Sequence, residues 1–461
     1  MPDEPLSADA WVTRINGEYA MLLTGGQPVI LREVAENGRP RDLQFLSLAG
    51  FRAWFSNRHV PVGKKSIPLH QFWMEHAARR QYDDLTFAPN PHPDDHRYNL
   101  WQGFAFEPSP LGDCFKFLEH LFRVVCDANE ERYRWLLNWL AHLVQRPGEK
   151  PGTAVALRGN QGTGKSIVGQ VVGKLLGSHY TLAEDPRYLT GRFNSHLASC
   201  LLLQLDEATW GGDHTAAGKL KGLITDPVQL IEYKGREPIA MPNFVRVLVT
   251  SNAQHVIPAG LDERRFAFFD VNEGHLGDAA YFRAIFAQLE DDGNIGYEHL
   301  LYFLLNEPLD VALVRCIPKT QGLYEQAVRS LPAEDQWWLD IVADGLLPDD
   351  RDGEGAAECK ALYNDYRKSL RERGLQRALS QEGFGHALRR LAPQCRRRQR
   401  RRGVRRPWMY EFPSLSVCRA EISRRWPGLV VTGDGADEWQ ADLPEPKTGG
   451  RDDSSARYDG T

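Results

Sequence analysis

The chain lacks any apolar run long enough to span a bilayer, and it has no cysteine or histidine cluster at the spacing of a zinc site. Its seven cysteines, at 114, 126, 200, 316, 359, 395 and 418, contain no CxxC pair, so we expect them to be reduced and mostly buried. The acidic residues 1–4 lack the basic and apolar stretches of a secretion signal. These absences argue against membrane-spanning and zinc-finger proteins, and they favour a soluble cytoplasmic protein.

The chain also lacks an overall positive charge. With 56 Lys and Arg against 61 Asp and Glu, its net charge is −5, which gives no general attraction to nucleic acid. The charge is unevenly distributed, however, because ten arginines fall between Arg389 and Arg406. Any contact with nucleic acid is therefore expected to be local.

The pattern of apolar residues and chain breakers predicts several domains in 461 residues. Residues 1–110 show no repeat and no catalytic motif that stands out, so their role is open. The predicted divisions after them are a helical region at 111–150 with helices at 114–126 and 130–144, a central domain at 151–320, a basic domain at 321–430, and a disordered acidic tail at 431–461.

Residues 159–166 match the phosphate-binding loop pattern at every fixed position. An apolar stretch typical of a strand, 154–157, precedes the loop, and a predicted helix, 167–176, follows it. Glycines let backbone N–H groups curl around phosphates, Lys165 brings positive charge to the outer phosphates, and the Ser166 hydroxyl can bind Mg²⁺. The pattern predicts a nucleoside triphosphate with Mg²⁺; a glycine-rich turn without nucleotide is the alternative. The residues predicted to hold the nucleotide are Gly159, Asn160, Gln161, Gly162, Thr163, Gly164, Lys165 and Ser166.

Two further predicted strands end in polar residues that suit phosphate hydrolysis. The apolar run 200–205 ends in Asp206 and Glu207, and the run 245–249 leads to Asn252. We expect Asp206 to help hold Mg²⁺ and Glu207 to polarise the attacking water as a general base. Asn252 is predicted to sense the γ-phosphate. Surface acids and a turn-forming asparagine are the alternatives.

A pair of arginines precedes the next predicted strand, 266–271. Arg264 or Arg265 is predicted to be an arginine finger, which stabilises the charge on the phosphoryl group during transfer and can come from a neighbouring subunit. In the alternative, both arginines pair with Asp262 and Glu263 on the surface. The predicted catalytic residues are Lys165, Glu207, Asn252, Arg264 and Arg265.

The C-terminal region is predicted to contain two helices, 359–374 and 380–391, followed by two strands, 396–402 and 404–412. Two helices joined by a turn and followed by a basic hairpin suggest a winged-helix module. Its arginines, represented by Arg397 and Arg401, are predicted to bind duplex or forked DNA through phosphates. A basic surface without a ligand is the alternative.

The order of these motifs resembles that of the superfamily 3 helicases of viruses, phages and mobile elements, and most closely the helicase part of phage and poxvirus-type primase-helicases. The resemblance covers 113–270 well and the C-terminal region in outline. It implies an α/β fold with an AAA+-like P-loop core and a parallel central sheet, between a helical region and a winged-helix-like domain. It also implies a homo-hexamer that uses ATP to move along single-stranded DNA, usually 3′ to 5′, in the cytoplasm of a bacterial host.

In that family, a hairpin that touches DNA lies between the second acidic motif and the sensor strand. Here the segments 220–225 and 231–236 occupy that part of the chain, so the resemblance assigns DNA contacts to Lys221, Lys234 and Arg236. A positive tip would bind backbone phosphates without reading bases. A solvated hairpin with ordinary surface charge is the alternative.

Residues 1–110 lack the acidic metal-binding pair that a fused primase-polymerase domain requires. Asp94 and Asp95 are poor substitutes, because adjacent strand residues point to opposite faces. With His92 and His96 they suggest a metal site, but a polar turn is the preferred interpretation. Primer synthesis is therefore expected from a separate primase or polymerase.

The leading hypothesis from the sequence is a replicative DNA helicase. A second is an ATP-regulated initiator that binds an origin and unwinds little DNA. A third possibility is an ATPase that remodels proteins or serves a defence system, which would make the arginine cluster incidental.

Overall fold

The structure, a computed structural model, describes residues 7–34, 42–185, 188, 191, 193–207, 214–233, 237–257, 263–375, 377–426 and 437–442. The chain divides into two compact units, Met1–Gln326 and Ala327–Thr461. No helix in these described ranges is both long and apolar enough to cross a membrane.

The first unit begins with a small sheet that is buried on both faces. Its strands are ordered β3-β2-β1-β6, and β1 is antiparallel to β2. Along β1, Tyr19 and Met21 pack into a small core with the neighbouring helices, whereas Ala20 and Leu22 join the main core. The elements are α1 (Ala8–Asn16), β1 (Tyr19–Thr24), β2 (Gln27–Val34), β3 (Asp42–Leu46), α2 (Leu48–Trp54), β4 (His59–Val62), β5 (Lys65–Pro68), α3 (Leu69–Glu75), β6 (Gln81–Tyr82), β7 (Leu85–Thr86) and β8 (Tyr98–Asn99).

A helical layer follows, close to the predicted bounds. Helix α4 (Phe115–His120) continues as a π-helical turn (Leu121–Val125), and α5 spans Glu130–Gln145. The Asn129 side chain accepts a hydrogen bond from the Arg132 N–H at 3.0 Å and so caps α5. The tryptophans of α5 are buried, which confirms that they belong to the core.

The main sheet of the first unit is parallel throughout, as predicted. Its strand order is β10-β11-β14-β9-β15, and the apolar strands are buried between helices. The elements of this part are β9 (Ala154–Arg158), α6 (Lys165–Leu176), a 3₁₀ turn (Gly177–His179), β10 (Tyr180–Ala183), a second 3₁₀ turn (Ser195–Leu197), β11 (Leu202–Asp206), α7 (His214–Thr225), β12 (Val228–Ile231), β13 (Ile239–Pro242), β14 (Arg246–Ser251) and β15 (Phe266–Asp270).

Three helices complete this part of the chain. Helix α8 (Ala279–Asn306) is interrupted by non-helical backbone at residues 291–294, and α9 (Val311–Arg315) and α10 (Gln321–Arg329) follow it. Helix α8 is held against α5, because the Gln145 amide donates hydrogen bonds to the carbonyl oxygens of Leu304 at 2.7 Å and Glu307 at 2.8 Å.

The second unit combines helices with a three-stranded antiparallel sheet of order β16-β18-β17. The two predicted helices are confirmed, and Ser380 caps the second by accepting from the Gly383 N–H at 3.1 Å. Both predicted strands are present but shorter, and β16 was not predicted. The elements are α11 (Ala333–Asp344), β16 (Ala356–Glu358), α12 (Cys359–Glu372), α13 (Gln381–Leu391), β17 (Arg396–Gln399), β18 (Trp408–Glu411) and α14 (Leu415–Arg425).

Candidate nucleotide-binding site

Three strands of the main sheet bring the predicted motifs to one edge. In the ladder, Thr250 of β14 lies opposite Leu157 of β9 on one side and Asp206 of β11 on the other. The phosphate-loop segment, the acidic pair and the Asn252 segment therefore all leave the sheet at its carboxyl edge. Ligands of open parallel sheets bind in the crevice outside this edge. Asn252 and Glu207 are both exposed there.

The loop 159–166 has the backbone geometry of an anion cradle. Gly162 and Gly164 both have φ of +87°, a conformation that suits glycine. The N–H groups of Gly162, Gly164 and Lys165 donate no hydrogen bond within the described part of the chain, so they are available to an acceptor. The Lys165 ammonium lies 3.5 Å from the Asn160 carbonyl oxygen, across the loop.

A hydroxyl and a carboxylate meet where α6 begins. The Ser166 hydroxyl donates to Asp206 Oδ1 at 3.4 Å, and the Thr250 hydroxyl donates to the same oxygen. Gln204 in turn donates to the Thr250 hydroxyl at 3.3 Å, which fixes the orientation of this group. Among the described residues, no group of three or more His, Cys, Asp or Glu could hold a metal. A site of one hydroxyl and one carboxylate still suits Mg²⁺, which keeps several waters and takes further oxygens from phosphates.

A segment after β15 supports the loop from behind, and the sequence did not indicate it. The Gly277 N–H donates to the Gly162 carbonyl at 3.0 Å, and the Asn160 amide donates to Glu273 at 2.6 Å. These contacts join residues more than a hundred positions apart. No local pattern in the sequence marks such contacts.

His120 is a second supporting residue that sequence analysis missed. It is fully buried, and its Nε2 lies 3.2 Å from the Gly164 carbonyl oxygen, while its Nδ1 lies 3.3 Å from the Tyr281 hydroxyl. Burial lowers the pKa of His120 to about 4, so the imidazole is neutral at physiological pH. A neutral ring can donate to the Gly164 carbonyl and accept from Tyr281, which holds the loop without adding charge.

The two arginines do not reach the phosphate loop of their own chain. They precede β15, and the Ala154 N–H at the start of β9 donates to the Arg265 carbonyl at 2.7 Å. The loop leaves the opposite end of β9, about 16 Å away for five residues of strand. Arg264 is exposed, whereas Arg265 is half-buried with its guanidinium 3.7 Å from the buried Glu263 carboxylate. The predicted pairing with Asp262 lies outside the described residues.

The predicted DNA-contacting hairpin is present only in part of the expected segment. Strands β12 and β13 pair antiparallel, from Val228 opposite Pro242 to Ile231 opposite Ile239. Residues 220–225 belong to α7 rather than to this hairpin, so Lys221 lies half-buried on a helix. Their apolar residues recur at helical spacing, which accounts for the difference. Lys234 and Arg236 lie outside the described residues.

The arginine cluster of the second unit consists of paired and unpaired side chains. Three arginines of the β17–β18 hairpin form ion pairs, Arg398 with Glu411, Arg400 with Glu354 and Arg402 with Asp349. Five exposed arginines have no ion pair within the described ranges; they are Arg396, Arg397, Arg401, Arg405 and Arg406. Both arginines selected from the sequence, Arg397 and Arg401, are among them.

The segment 92–96 is a polar turn, as preferred from the sequence. The Asp94 N–H donates to His92 Nδ1 at 3.2 Å. The Asp95 carboxylate is engaged by the Arg97 guanidinium at 2.7 Å. Both acids are therefore parts of local turn contacts.

Comparisons with known proteins agree with this architecture. A family model described as a family of unknown function, DUF5906, matches residues 157–265, which include the phosphate loop and both arginines. The chain is also similar to a DNA primase-polymerase of Nitratiruptor phage NrS-1, with 26% identity over 178 residues, which are 36% of this chain and 24% of that protein. The match thus spans about a quarter of the relative's length.

Solved structures of the NrS-1 C-terminal region share the fold. The apo structure of residues 305–718 of that protein superposes with a TM-score of 0.58 at 15% identity, covering 90% of this chain and 100% of that one. A second apo form gives a TM-score of 0.59 at 16% identity, with 89% and 100% covered. Most of this chain therefore has the fold of that C-terminal region.

Proposed function

We propose that the chain is an ATP-dependent DNA helicase or translocase that serves the replication of a phage or mobile element. The observation that carries the proposal is the contact of Ser166 with Asp206, at the sheet edge from which the phosphate loop also leaves. Oxygen ligands beside backbone N–H groups that have no acceptor in the described part of the chain suit a magnesium triphosphate. ATP and Mg²⁺ are thus the proposed cofactors.

The residues at the sheet edge have complementary roles in this proposal. Lys165 neutralises charge on the outer phosphates, and Asn252 orients the attacking water. Glu207 accepts a proton from that water. Its φ of +54° is uncommon for a residue with a side chain, and such conformations often occur at functional sites.

The position of the arginines supports a homo-oligomer. Because Arg264 lies at the amino end of β15, it can complete only the site of another copy, and a ring satisfies this for every subunit. We propose an AAA+-like homo-hexamer in which Arg264 is the finger. Arg265 is the weaker candidate, because Glu263 already holds it.

DNA is proposed as the polymer along which the protein moves. Lys221, Lys234 and Arg236 are proposed to contact single-stranded DNA while the protein moves 3′ to 5′. The second unit is proposed to act as a winged-helix-like domain on forked DNA. The relative from phage NrS-1 is a DNA primase-polymerase. For this chain we propose that primer synthesis comes from a separate primase or polymerase.

The test is ATP hydrolysis with and without single-stranded DNA across a salt series. We expect stimulation that fades as salt rises, because phosphate contacts release counterions. Glu207→Gln should lower turnover about 100-fold or more while ATP still binds, and Lys165→Ala should lose ATP binding. Hydrolysis that is indifferent to DNA would contradict a translocase. Tight duplex binding without unwinding would instead favour an ATP-regulated initiator, which the basic second unit also suits.

A further inference from the structure

A tryptophan of the second unit is exposed in the middle of the arginine cluster. Trp408 begins β18, and the residue is 47% exposed, although large aromatic residues are usually buried. The Arg397 guanidinium lies over its ring, 4.6 Å from the centroid. Within the described ranges the indole N–H has no hydrogen-bond partner and is open to solvent or a ligand.

The hairpin that carries Trp408 is rich in arginine. Arg405 and Arg406 precede it closely in sequence, and Arg396 and Arg401 belong to the same hairpin and its turn; all four are exposed and without ion pairs in the described ranges. The hairpin itself is held in place by the ion pairs of Arg398, Arg400 and Arg402. The result is an exposed aromatic ring among guanidinium groups that have no ion pair in the described ranges.

Protection of a sheet edge explains only part of this arrangement. Strand β17 is the outer strand of its sheet, and arginines on an edge strand prevent pairing with another chain. An exposed indole works against that purpose, because apolar surface promotes association. The charge also disfavours a basic or apolar protein partner. A polyanion with unpaired aromatic rings satisfies both the arginines and the tryptophan.

We propose that Trp408 is a stacking platform for unpaired bases of a single strand, while the neighbouring arginines bind its phosphates. This inference rests on the proposed DNA-dependent function and adds a base-contacting residue to it. Stacking is tolerant of sequence, because every base has a flat aromatic face. A strand without bases, or a blunt duplex whose bases are stacked inside, offers phosphates but no free base to the ring.

The experiment measures binding of the full chain to three labelled oligonucleotides by fluorescence anisotropy. They are a single strand, an abasic strand of equal length and charge, and a blunt duplex. All proteins compared carry Lys234→Ala, which removes a predicted DNA contact in the first unit. The chain with this change alone is the parent. Trp408→Ala should weaken binding to the single strand about 5-fold to 150-fold, and it should leave the abasic strand and the duplex unchanged.

Matched variants separate stacking from charge and from folding. Trp54→Ala removes another exposed tryptophan, 61% exposed and 6.0 Å from the Arg32 guanidinium, and it should change nothing. Trp408→Phe should restore most of the single-strand affinity. Arg401→Gln should weaken all three ligands and reduce the salt slope on the single strand by about 0.7. If Trp408→Ala unfolds the chain in a thermal melt, Trp408→Leu takes its place.

Each outcome decides the inference. If Trp408→Ala binds the single strand as tightly as the parent, or weakens all three ligands equally, stacking is overturned while DNA-stimulated hydrolysis can still support the proposed function. If the parent and the unmodified chain bind none of the ligands, the proposed DNA function fails as well, and stacking with it.

Discussion

At the scale of single residues, Arg246 is a buried cation without a carboxylate partner among the described residues. It is 1% exposed, and burial lowers its pKa to about 9. Its guanidinium instead donates to backbone carbonyl oxygens and lies 3.3 Å from His142 Nδ1. The carbonyl partners belong to Arg146, Pro147, Phe244 and Glu149. The side chain thus ties the connection between α5 and β9 to the start of β14.

We predict that Arg246→Met lowers the free energy of unfolding by about 3 kcal/mol or more, because it leaves several buried carbonyl groups unpaired. Urea denaturation measures this change. Arg123→Met is the control, because Arg123 is an exposed residue that forms an ion pair with Glu119 four residues away, and it should cost less than about 1 kcal/mol. Equal losses in the two variants would show that Arg246 is not a structural tie.

Gly164 is a residue that has no room for a side chain. A Cβ atom there would lie 2.5 Å from the Phe282 ring and 2.8 Å from the His120 ring. We predict that Gly164→Ala shifts the loop and weakens ATP binding at least about 10-fold, as measured with a fluorescent ATP analogue. Gly152→Ala has a similar φ of +75° and nothing within 4 Å of the new Cβ, so it should keep ATP affinity. Unchanged affinity in Gly164→Ala would contradict the cradle.

At the scale of elements, the joint between α4 and the phosphate loop depends on a neutral histidine. The pKa of His120 falls from 6.5 to about 4 in the folded chain, so below pH 6.5 the unfolded chain binds the extra proton. Stability is fully present above pH 6.5 and is lost as pH falls toward 4. The lowered pKa of His120 corresponds to about 3 kcal/mol of folding stability.

We therefore predict that thermal stability falls steeply between pH 6.5 and pH 4, and that His120→Asn flattens the fall. His142, whose pKa is also lowered to about 4 by burial, contributes in the same direction and keeps part of the slope in the variant. His92→Asn changes an exposed histidine and should leave the profile unaltered. A His120→Asn profile parallel to that of the unmodified chain would contradict this assignment.

Most elements were predictable from the sequence because their signals are local. The helices at 359–374 and 380–391 and the parallel strands follow from apolar periodicity and capping residues within a few positions. Strand β16 was missed because three residues, Ala356–Glu358, carry no periodicity, and pairing with β18 alone makes them a strand. Residues 220–225 were assigned to the hairpin region from a family resemblance, although their own spacing is helical.

At the scale of the whole molecule, the proposed oligomer predicts a recovery of ATP hydrolysis that no single chain can show. Arg264→Ala keeps the loop but lacks the arginine finger, whereas Glu207→Gln keeps the finger but lacks the general base. We predict that mixing these two inactive variants restores part of the ATP hydrolysis, because some interfaces then combine the intact halves. Steady-state hydrolysis across mixing ratios measures the recovery.

The matched control mixes Lys165→Ala with Glu207→Gln. Both changes lie at the carboxyl edge of the sheet, so every interface keeps one defect and no activity should return. Recovery in neither mixture would count against a finger that acts between subunits. A separate loss of hydrolysis in Arg265→Ala with unchanged thermal stability would assign the finger to Arg265 instead.

The sequence by itself determined the glycine-rich loop after β9, the acidic strand end and the parallel sheet, because each depends on contiguous residues whose spacing reflects one local geometry. It left open which of the two arginines Glu263 holds, what supports the loop and whether the cluster of arginines is paired. Only the tertiary structure decided that Glu263 holds Arg265, that His120 and Gly277 lie behind the loop, and that Trp408 lies exposed under Arg397. Most of these contacts join residues far apart in the chain, and burial also depends on the whole fold, so only folding brings these groups together.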